Sequence, residues 1–392
     1  MLSAPSRTRI LRAYTKNNEV TLLRGGKPYF SKLLELINGA ERTIHLQVYI
    51  FDEDATGLQV ADALVSASER GVKVFLLIDG YASKALSETF RNKLKAGGVY
   101  FRWFEPIFRG NDFYFGRRLH HKILVVDSFH SLVGGINISD KYNDTDDDPA
   151  WLDWALYSAG DVSIELMKVC AKLWTKSNRK AAALVSFENP IGSVARECLV
   201  RVRRNDWVQN KTQISGSYIE MFKNATSQIT IMSSYFLPGQ LFRHHLSAAA
   251  KRKVEVRLIL AGTSDIKTAK YAERYIYRWM LRNKMKIYEY QPSVLHGKIA
   301  TYDDRWATIG SYNVNNISAF ASIELNLDVQ DPEFAASLRK KLDAIIAADC
   351  IEVNETTYRT RYSIFGQFAQ WVAYITIRFL FYLFTFYFRQ KG

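Results

Sequence analysis

"HHKILVVDSFHSLVGGIN", His120 to Asn137, and "HGKIATYDDRWATIGSYN", His296 to Asn313, together decide the fold. In the first stretch His120, Lys122, Asp127, Gly134, Gly135 and Asn137 stand at relative positions 0, 2, 7, 14, 15 and 17. In the second, His296, Lys298, Asp303, Gly310, Ser311 and Asn313 stand at the same relative positions. A lone H-x-K is noise; six matched positions occurring twice are not. The correspondence extends upstream of both copies. A helical pattern "LLELINGA", a strand "TIHLQVYIF", a second helix "GLQVADALVSASERG" and a strand "VKVFLLID" precede the first copy. "YIEMFKNA", "QITIMSSYF", "LFRHHLSAAAKRK" and "VEVRLILA" precede the second in the same order. Ala40, Ile44, Leu46 and Phe51 match Ala225, Ile229, Ile231 and Phe236 at a constant offset of 185 residues. The pattern predicts a duplicated α/β unit of about 180 residues, larger than a solenoid repeat.

Each copy begins as a strand, and residues two apart on a strand share a face. His120 and Lys122 therefore form one unit, and His296 and Lys298 another. His121 points the other way, and glycine stands in its place in the second copy, so His120 carries the chemistry. An imidazole beside an ammonium suits an anionic substrate: the imidazole attacks and the lysine neutralises a non-bridging oxygen. Two such units facing each other supply one histidine to attack and another to protonate the leaving oxygen, as a phosphodiester requires. Asp127 and Asp303 lie seven strand residues from their histidines, about 23 Å, too far to orient an imidazole. They are expected to be charge-balancing or structural groups that pair across the two halves. Asp153 in "WLDWALY" and Glu324 in "SIELNLDV" are better histidine partners, because an acid in an apolar strand is costly without a partner. Gly134, Gly135, Gly310 and Ser311 would let backbone approach phosphate oxygens, with Asn137 and Asn313 as side-chain donors.

With 392 residues the chain can bury a large core, in two domains or in one built of two halves. Cys170, Cys198 and Cys350 are too scattered for a disulfide framework or a thiolate zinc site. A net charge of +14 attracts polyanions, either nucleic acid or anionic lipid. The N-terminus carries no apolar signal-peptide core. Ser363 to Phe388 holds one charge, Arg378, and Gln367, Gln370, Tyr374, Arg378, Tyr382, Thr385 and Arg389 fall on one helical stripe. The segment is expected to lie in a membrane interface, with aromatics in the lipid and Arg359, Arg361, Arg389 and Lys391 at the headgroups. The insertion "EPIFRGNDFYFGRRL", Glu105 to Leu119, is aromatic and basic and is expected to meet lipid at the mouth of the site. The acidic run Asn143 to Trp151 lacks the glycine and terminal glutamate of a calcium loop, and is read as a polar loop that binds a polyol. His244 and His245 are read as surface residues.

The pattern H-x-K-x4-D-x6-G-[GS]-x-N, present twice, resembles the phospholipase D superfamily. Within it, "RRLHHKILVVD", "YFLPG" (Tyr235 to Gly239) and Glu324, eleven residues after Asn313, are similar to the bacterial cardiolipin synthases. The resemblance covers about residues 20 to 345. After Asn313 the stretch "VNNISAFASIE" lacks the arginine that many members carry before the serine matching Ser318. The resemblance implies an α/β fold of two pseudo-symmetric phospholipase D-like halves, each a mixed β-sheet flanked by helices, plus the C-terminal amphipathic aromatic helix. Its divisions are residues 1–195, 196–349 and 350–392. It implies a phosphohistidine mechanism with no metal and no cofactor. His120 would be the nucleophile and His296 the general acid and base, with Lys122, Lys298, Asn137, Asn313, Gly135 and Ser311 around the phosphoryl group. Asp127 and Asp303 enter the catalytic set as members of the motif. The implied activity is transfer of a phosphatidyl group between phospholipids, phosphatidylglycerol first and phosphatidylethanolamine as a further candidate, on an anionic membrane surface. The competing reading is hydrolysis of phospholipid or nucleic acid, and the aromatic C-terminus argues against nucleic acid. The protein is expected to sit peripherally on the bacterial cytoplasmic membrane through its C-terminal helix.

Overall fold

Both motif copies fold as antiparallel hairpins. Asp127 and Ser128 take positive φ of 50° and 55° at one turn, and Asp303 and Asp304 take 50° and 48° at the other. Two successive left-handed residues give a turn whose twist matches the strands it joins, and aspartate enters that region more cheaply than most residues. The computed structural model describes residues 14–105, 108–109, 112–113, 118–145, 149–175, 192–194, 196–206, 209, 211–315, 322–361 and 364–390.

In chain order the first half runs β1 (Asn18–Arg24), α1 (Lys27–Asn38), β2 (Thr43–Val48), α2 (Ala55–Glu69), β3 (Lys73–Asp79), α3 (Glu88–Ala96) and β4 (Tyr100–Phe104). A short hairpin follows, β5 (Phe108–Arg109) and β6 (Asp112–Phe113), then β7 (Arg118–Leu119), β8 (Lys122–Val126), β9 (His130–Gly134), β10 (Trp154–Gly160) and α4 (Asp161–Trp174). The second half runs β11 (Leu199–Asp206), β12 (Lys211–Thr212), α5 (Gln213–Asn224), β13 (Gln228–Ser233), α6 (Gln240–Lys251), β14 (Glu255–Ala261) and α7 (Lys267–Arg282). It continues through β15 (Lys286–Tyr290), β16 (Lys298–Tyr302), β17 (Trp306–Gly310), β18 (Ser322–Gln330), α8 (Pro332–Asp349) and β19 (Cys350–Val353), and α9 (Glu355–Arg361) and α10 (Ile364–Gln390) close the chain.

The two sheets share one topology. The order β10-β9-β8-β2-β3-β4 in the first matches β18-β17-β16-β13-β14-β15 in the second. In each, three antiparallel pairings are followed by two parallel ones. Local signals set the helix starts: the Asp54 side chain accepts from Gly57 N–H at 2.9 Å, and Asp331 caps α8 ahead of Pro332. Trp154, Leu156, Met232, Ile299, Ile309, Leu325 and Leu327 form one core shared by the two sheets, into which α4 sends Leu166 and α8 sends Leu338 and Leu342. Separate cores lie under α1 to α3 and under α5 to α7. Each fully buried Leu or Ile in the shared core contributes roughly 1.5–3 kcal/mol, stability that depends on the two halves being together. Cys350–Val353 pairs antiparallel with β15 and adds an edge strand to the second sheet.

The C-terminal helix docks along α7 and leaves its aromatic face outward. Gln367, Gln370 and Tyr374 of its polar stripe turn toward the protein. Tyr358 OH donates to Gln370 Oε1 at 3.0 Å, Arg243 Nη2 donates to Tyr374 OH at 3.1 Å, and Arg278 donates to Gln367. The Tyr374 ring lies 4.7 Å from that of Tyr275 on α7. The opposite face, Phe365, Phe368, Trp371, Ile375 and Phe379, is exposed, Phe365 at 87%. The physical reason is pairing: α7 and α6 offer Gln367 and Tyr374 aromatic and guanidinium partners, so this part of the stripe packs inward while Arg378 and the apolar face are exposed. Among the described residues no helix is long and apolar enough to cross a membrane. The side chains of Arg359, Arg361, Tyr382, Thr385, Arg389 and Lys391 lie outside the described residues.

Candidate active site

Two crossings of backbone build the site. The strand β7 leaves the first half and pairs in parallel with β18, setting Leu119 opposite Ile323 and delivering His120 beside Glu324. His120 N–H donates to Ile323 O at 3.1 Å. Reciprocally, Leu152 bridges Leu295 in parallel, and His296 N–H donates to Leu152 O at 2.8 Å, delivering His296 beside Asp153. Buried Asp79 anchors the first crossing by accepting from Leu119 N–H at 2.8 Å and pairing with Arg118 at 3.4 Å.

Each histidine is thus held by the other half's carboxylate. His120 Nδ1 lies 3.0 Å from Glu324 Oε2 and 2.9 Å from Oε1, and His296 Nδ1 lies 2.5 Å from Asp153 Oδ2. A carboxylate at Nδ1 places the proton there and leaves Nε2 as the lone pair. Both carboxylates are fully buried. Glu324 also accepts from Ser322 Oγ at 2.7 Å and from Ser311 Oγ. Burial pushes the Glu324 carboxyl up, but His120, Lys122 and the Ser311 hydroxyl outweigh it and hold the group below its ordinary range.

The lysines complete a closely packed charge cluster. Lys122 Nζ donates to His120 O at 2.6 Å and sits 5.1 Å above the Tyr49 ring. Lys298 Nζ lies 2.8 Å from His296 Nδ1 and 3.7 Å from Asp153. Burial pushes the Lys122 ammonium down to about 7, with Glu324 opposing and Lys298 adding to the fall, and burial likewise lowers Lys298. Burial lowers both imidazoles as well, His296 to about 4. A pocket that makes two lysines and two histidines reluctant to hold charge favours an anion between them, and a bound phosphodiester would restore the ammonium forms.

Several candidate residues serve other ends. The motif aspartates neither reach the histidines nor pair across the halves. Asp127 accepts backbone N–H groups from Glu41, Arg42 and Thr43 at 2.9, 2.9 and 2.8 Å. Asp303 does the same for Thr226, Ser227 and Gln228, and also accepts from both hydroxyls. Each therefore ties its hairpin turn to the helix–strand connection of its own half. Gly135 lies under Asp153, and a Cβ there would come within 2.4 Å of the carboxylate. Ser311, its counterpart, donates to Glu324. Position 15 of the motif therefore lies against the carboxylate in both halves. Asn137 is held at both ends, accepting from Ile50 N–H at 3.0 Å and donating to Tyr142 OH at 2.9 Å, which leaves at most one N–H for substrate. Asn313 Oδ1 accepts from Ser234 Oγ at 2.6 Å, so its NH2 is the donor end. His121 is buried on the opposite face, 2.8 Å from Gln47. At the matching position Gly297 has Met232 and Trp154 against it, where a Cβ would lie 2.8 and 3.0 Å from them.

Tyr49, Tyr142 and Trp151 enclose the histidines and carried no signal in the motif. Tyr49 meets the His120 ring edge-on at 4.9 Å, and Tyr142 and Trp151 meet His296 at 5.2 and 6.0 Å. Asp144, in the acidic run, accepts from Lys27 N–H at 2.9 Å and Ala150 N–H at 3.2 Å, while residues 146–148 of the polyol loop lie outside the described residues. So do Ser318 and most side chains of the Glu105 to Leu119 insertion. Among the described residues no group of three or more His, Cys, Asp or Glu side chains is gathered to hold a metal.

Comparison with known proteins places this geometry in a family. Residues 33–164 and 218–346 match the family described as "Cardiolipin synthase, PLD-like domain". The chain is 34% identical over 358 residues to cardiolipin synthase B of Escherichia coli (strain K12), covering 88% of this chain and 84% of that protein. It is 30% identical over 334 residues to cardiolipin synthase A of Pseudomonas syringae pv. syringae, covering 84% and 68%. The crystal structure of phosphatidylserine synthase from Haemophilus influenzae Rd KW20 superposes with a TM-score of 0.71 at 15% identity, covering 95% and 96%, a likeness of fold.

Proposed function

Since the chain belongs to the cardiolipin synthase family of phospholipase D-like enzymes, we propose that it transfers a phosphatidyl group from one phosphatidylglycerol to a second, releasing glycerol. His120 Nε2 attacks phosphorus, the bond to the glycerol oxygen breaks, and His296, which takes up a proton from solvent at Nε2 once the anionic substrate is bound, gives that proton to the oxygen. A hydroxyl of the second phosphatidylglycerol then loses its proton to His296 and attacks the phosphohistidine. The P–N bond breaks, cardiolipin leaves, and His120 regains its lone pair. Lys122 and Lys298 neutralise the non-bridging oxygens throughout.

The observation that carries this reading is the pair of histidine–lysine units, each histidine held at Nδ1 by a buried carboxylate, so that both present Nε2 to one substrate. Transfer in preference to hydrolysis needs an acceptor delivered from lipid, and the outward face of α10 supports such a setting. With Gln367, Gln370 and Tyr374 turned to the protein, that face offers Phe365, Phe368, Trp371 and Phe379 to a bilayer, and a net charge of +14 favours an anionic one. This would hold the enzyme peripherally on the membrane. Incubating the protein with phosphatidylglycerol vesicles should yield cardiolipin and glycerol in equal amounts. Phosphatidic acid as the main product would replace the transferase reading with a hydrolase.

A further inference from the structure

We propose that Tyr142 is a positioning residue that governs the Nε2 proton of His296 and so makes the two histidines unequal; the proposal rests on the phosphohistidine reading of the same site. Tyr142 ends a short 3-10 turn, Asp140–Tyr142, and its side chain is buried. Its hydroxyl lies 3.5 Å from His296 Nε2, and its ring stands at 76° to the imidazole. That distance is long for a hydrogen bond, as catalytic contacts are before substrate tightens them.

The direction of each hydrogen bond follows from its neighbour. Ile50 N–H can only donate, so the Asn137 atom facing it at 3.0 Å is the oxygen. The Asn137 NH2 then faces Tyr142 and donates to its oxygen at 2.9 Å. With that oxygen occupied, the hydroxyl proton is free to point at His296, whose Nδ1–H is committed to Asp153. In the resting site Tyr142 O–H therefore donates to the Nε2 lone pair. When Nε2 carries a proton, the hydroxyl turns away and accepts. Burial and the Asp153 charge raise the phenol well above its ordinary range, so it stays a neutral donor and does not act as a base.

Among the described residues no hydroxyl stands in the same relation to His120, whose contacts are Glu324 at Nδ1 and the edge of Tyr49. Held at Nδ1 by Glu324, His120 turns Nε2 toward attack, while His296 has its proton managed by Tyr142. Binding of the anionic phosphodiester lets His296 take a second proton from solvent at Nε2, turning the hydroxyl away. In the first step the P–O bond to the leaving alcohol breaks, that proton moves from Nε2 to the alcohol oxygen, and Tyr142 O–H swings in to the emptied nitrogen. In the second step the acceptor's proton returns to Nε2 and the hydroxyl swings out.

The test compares leaving groups in wild type and Tyr142→Phe, a change that keeps the ring. Phosphatidyl-p-nitrophenol leaves as a phenolate without needing a proton, whereas the glycerol of phosphatidylglycerol needs one. The expected result is a loss of about 10- to 50-fold in cardiolipin formation, with the pre-steady-state burst of p-nitrophenol changed by less than about threefold. The burst doubles as a check that the variant is folded. Equal losses on both substrates, or no loss on either, would overturn the proposal. If wild type gives a burst but no cardiolipin, the transferase reading fails separately, and the comparison is made with whichever alkyl phosphatidyl ester the wild type cleaves.

Discussion

Replacing Asp303 by Asn should cost stability and leave chemistry nearly intact, although the residue belongs to the motif shared by both halves. The Asp303 carboxylate receives backbone N–H groups from Thr226, Ser227 and Gln228 at the start of β13, together with two hydroxyls. Burial raises its pKa, but these donors outweigh burial and bring it down to about 2 from 3.8. A shift of that size corresponds to roughly 2.5 kcal/mol, and solvent screening of a partly buried carboxylate reduces it to roughly 1–2 kcal/mol. Because the folded-state pKa is depressed, this contribution is present above about pH 4 and is lost as pH falls toward 2. Asn tolerates the left-handed conformation at φ 50°, so the change tests the charge and its acceptors and not the turn. Urea unfolding at pH 7 should therefore show a loss of roughly 1–2 kcal/mol that disappears near pH 2. At 25 °C kcat should fall by less than about threefold, because seven residues, about 23 Å of extended chain, separate Asp303 from His296. A thousandfold loss of kcat with unchanged unfolding would show that the aspartate takes part in the reaction, and the staple would be the wrong account.

Glu324→Gln removes the negative charge at His120 Nδ1–H and puts a donor NH2 among the groups that now donate to the carboxylate, and should lower kcat by about 10²–10⁴, measured by phosphohistidine formation in rapid quench; a loss under about fivefold would mean that His120 is oriented by something else. Phe368→Ser combined with Trp371→Ser should weaken co-sedimentation with phosphatidylglycerol vesicles by more than about tenfold, since burying each aromatic contributes roughly 1.5–3 kcal/mol, and unaltered binding would remove α10 from the interface. His45 and His121 are buried and held near pKa 3, below the 6.5 of the unfolded chain, so only the unfolded state takes up their protons. Stability should fall by roughly 2 kcal/mol per histidine between pH 7 and 5, and His45→Leu should remove one such share; equal pH slopes in wild type and variant would contradict this.

The histidine–lysine units were legible because a strand has a period of two, and Asp153 and Glu324 stood out as acids in apolar strands. Which acid meets which histidine was not legible. That crossing is set by β7 on β18 and by Leu152 on Leu295, contacts about 140 to 200 residues apart with no local signature. Gly135 and Ser311 read as phosphate ligands because small residues near a histidine motif have two uses, and only the position of Asp153 and Glu324 distinguishes them. Tyr142 and Tyr49 look like ordinary aromatics until the fold sets them against imidazoles. The stripe on α10 was visible as a helical period, yet periodicity does not reveal whether protein or solvent receives the polar face.

The exchange of carboxylates between halves makes the enzyme a logical AND gate. A half expressed alone would own a nucleophile and a lysine but only the orienting acid meant for its sibling, so it could mature only by meeting a complementary copy. After the duplication, neither copy could drift at its acid without disabling the other's histidine. The two halves are thereby bound to evolve as a mutually dependent pair, and activity itself reports that both have folded and docked.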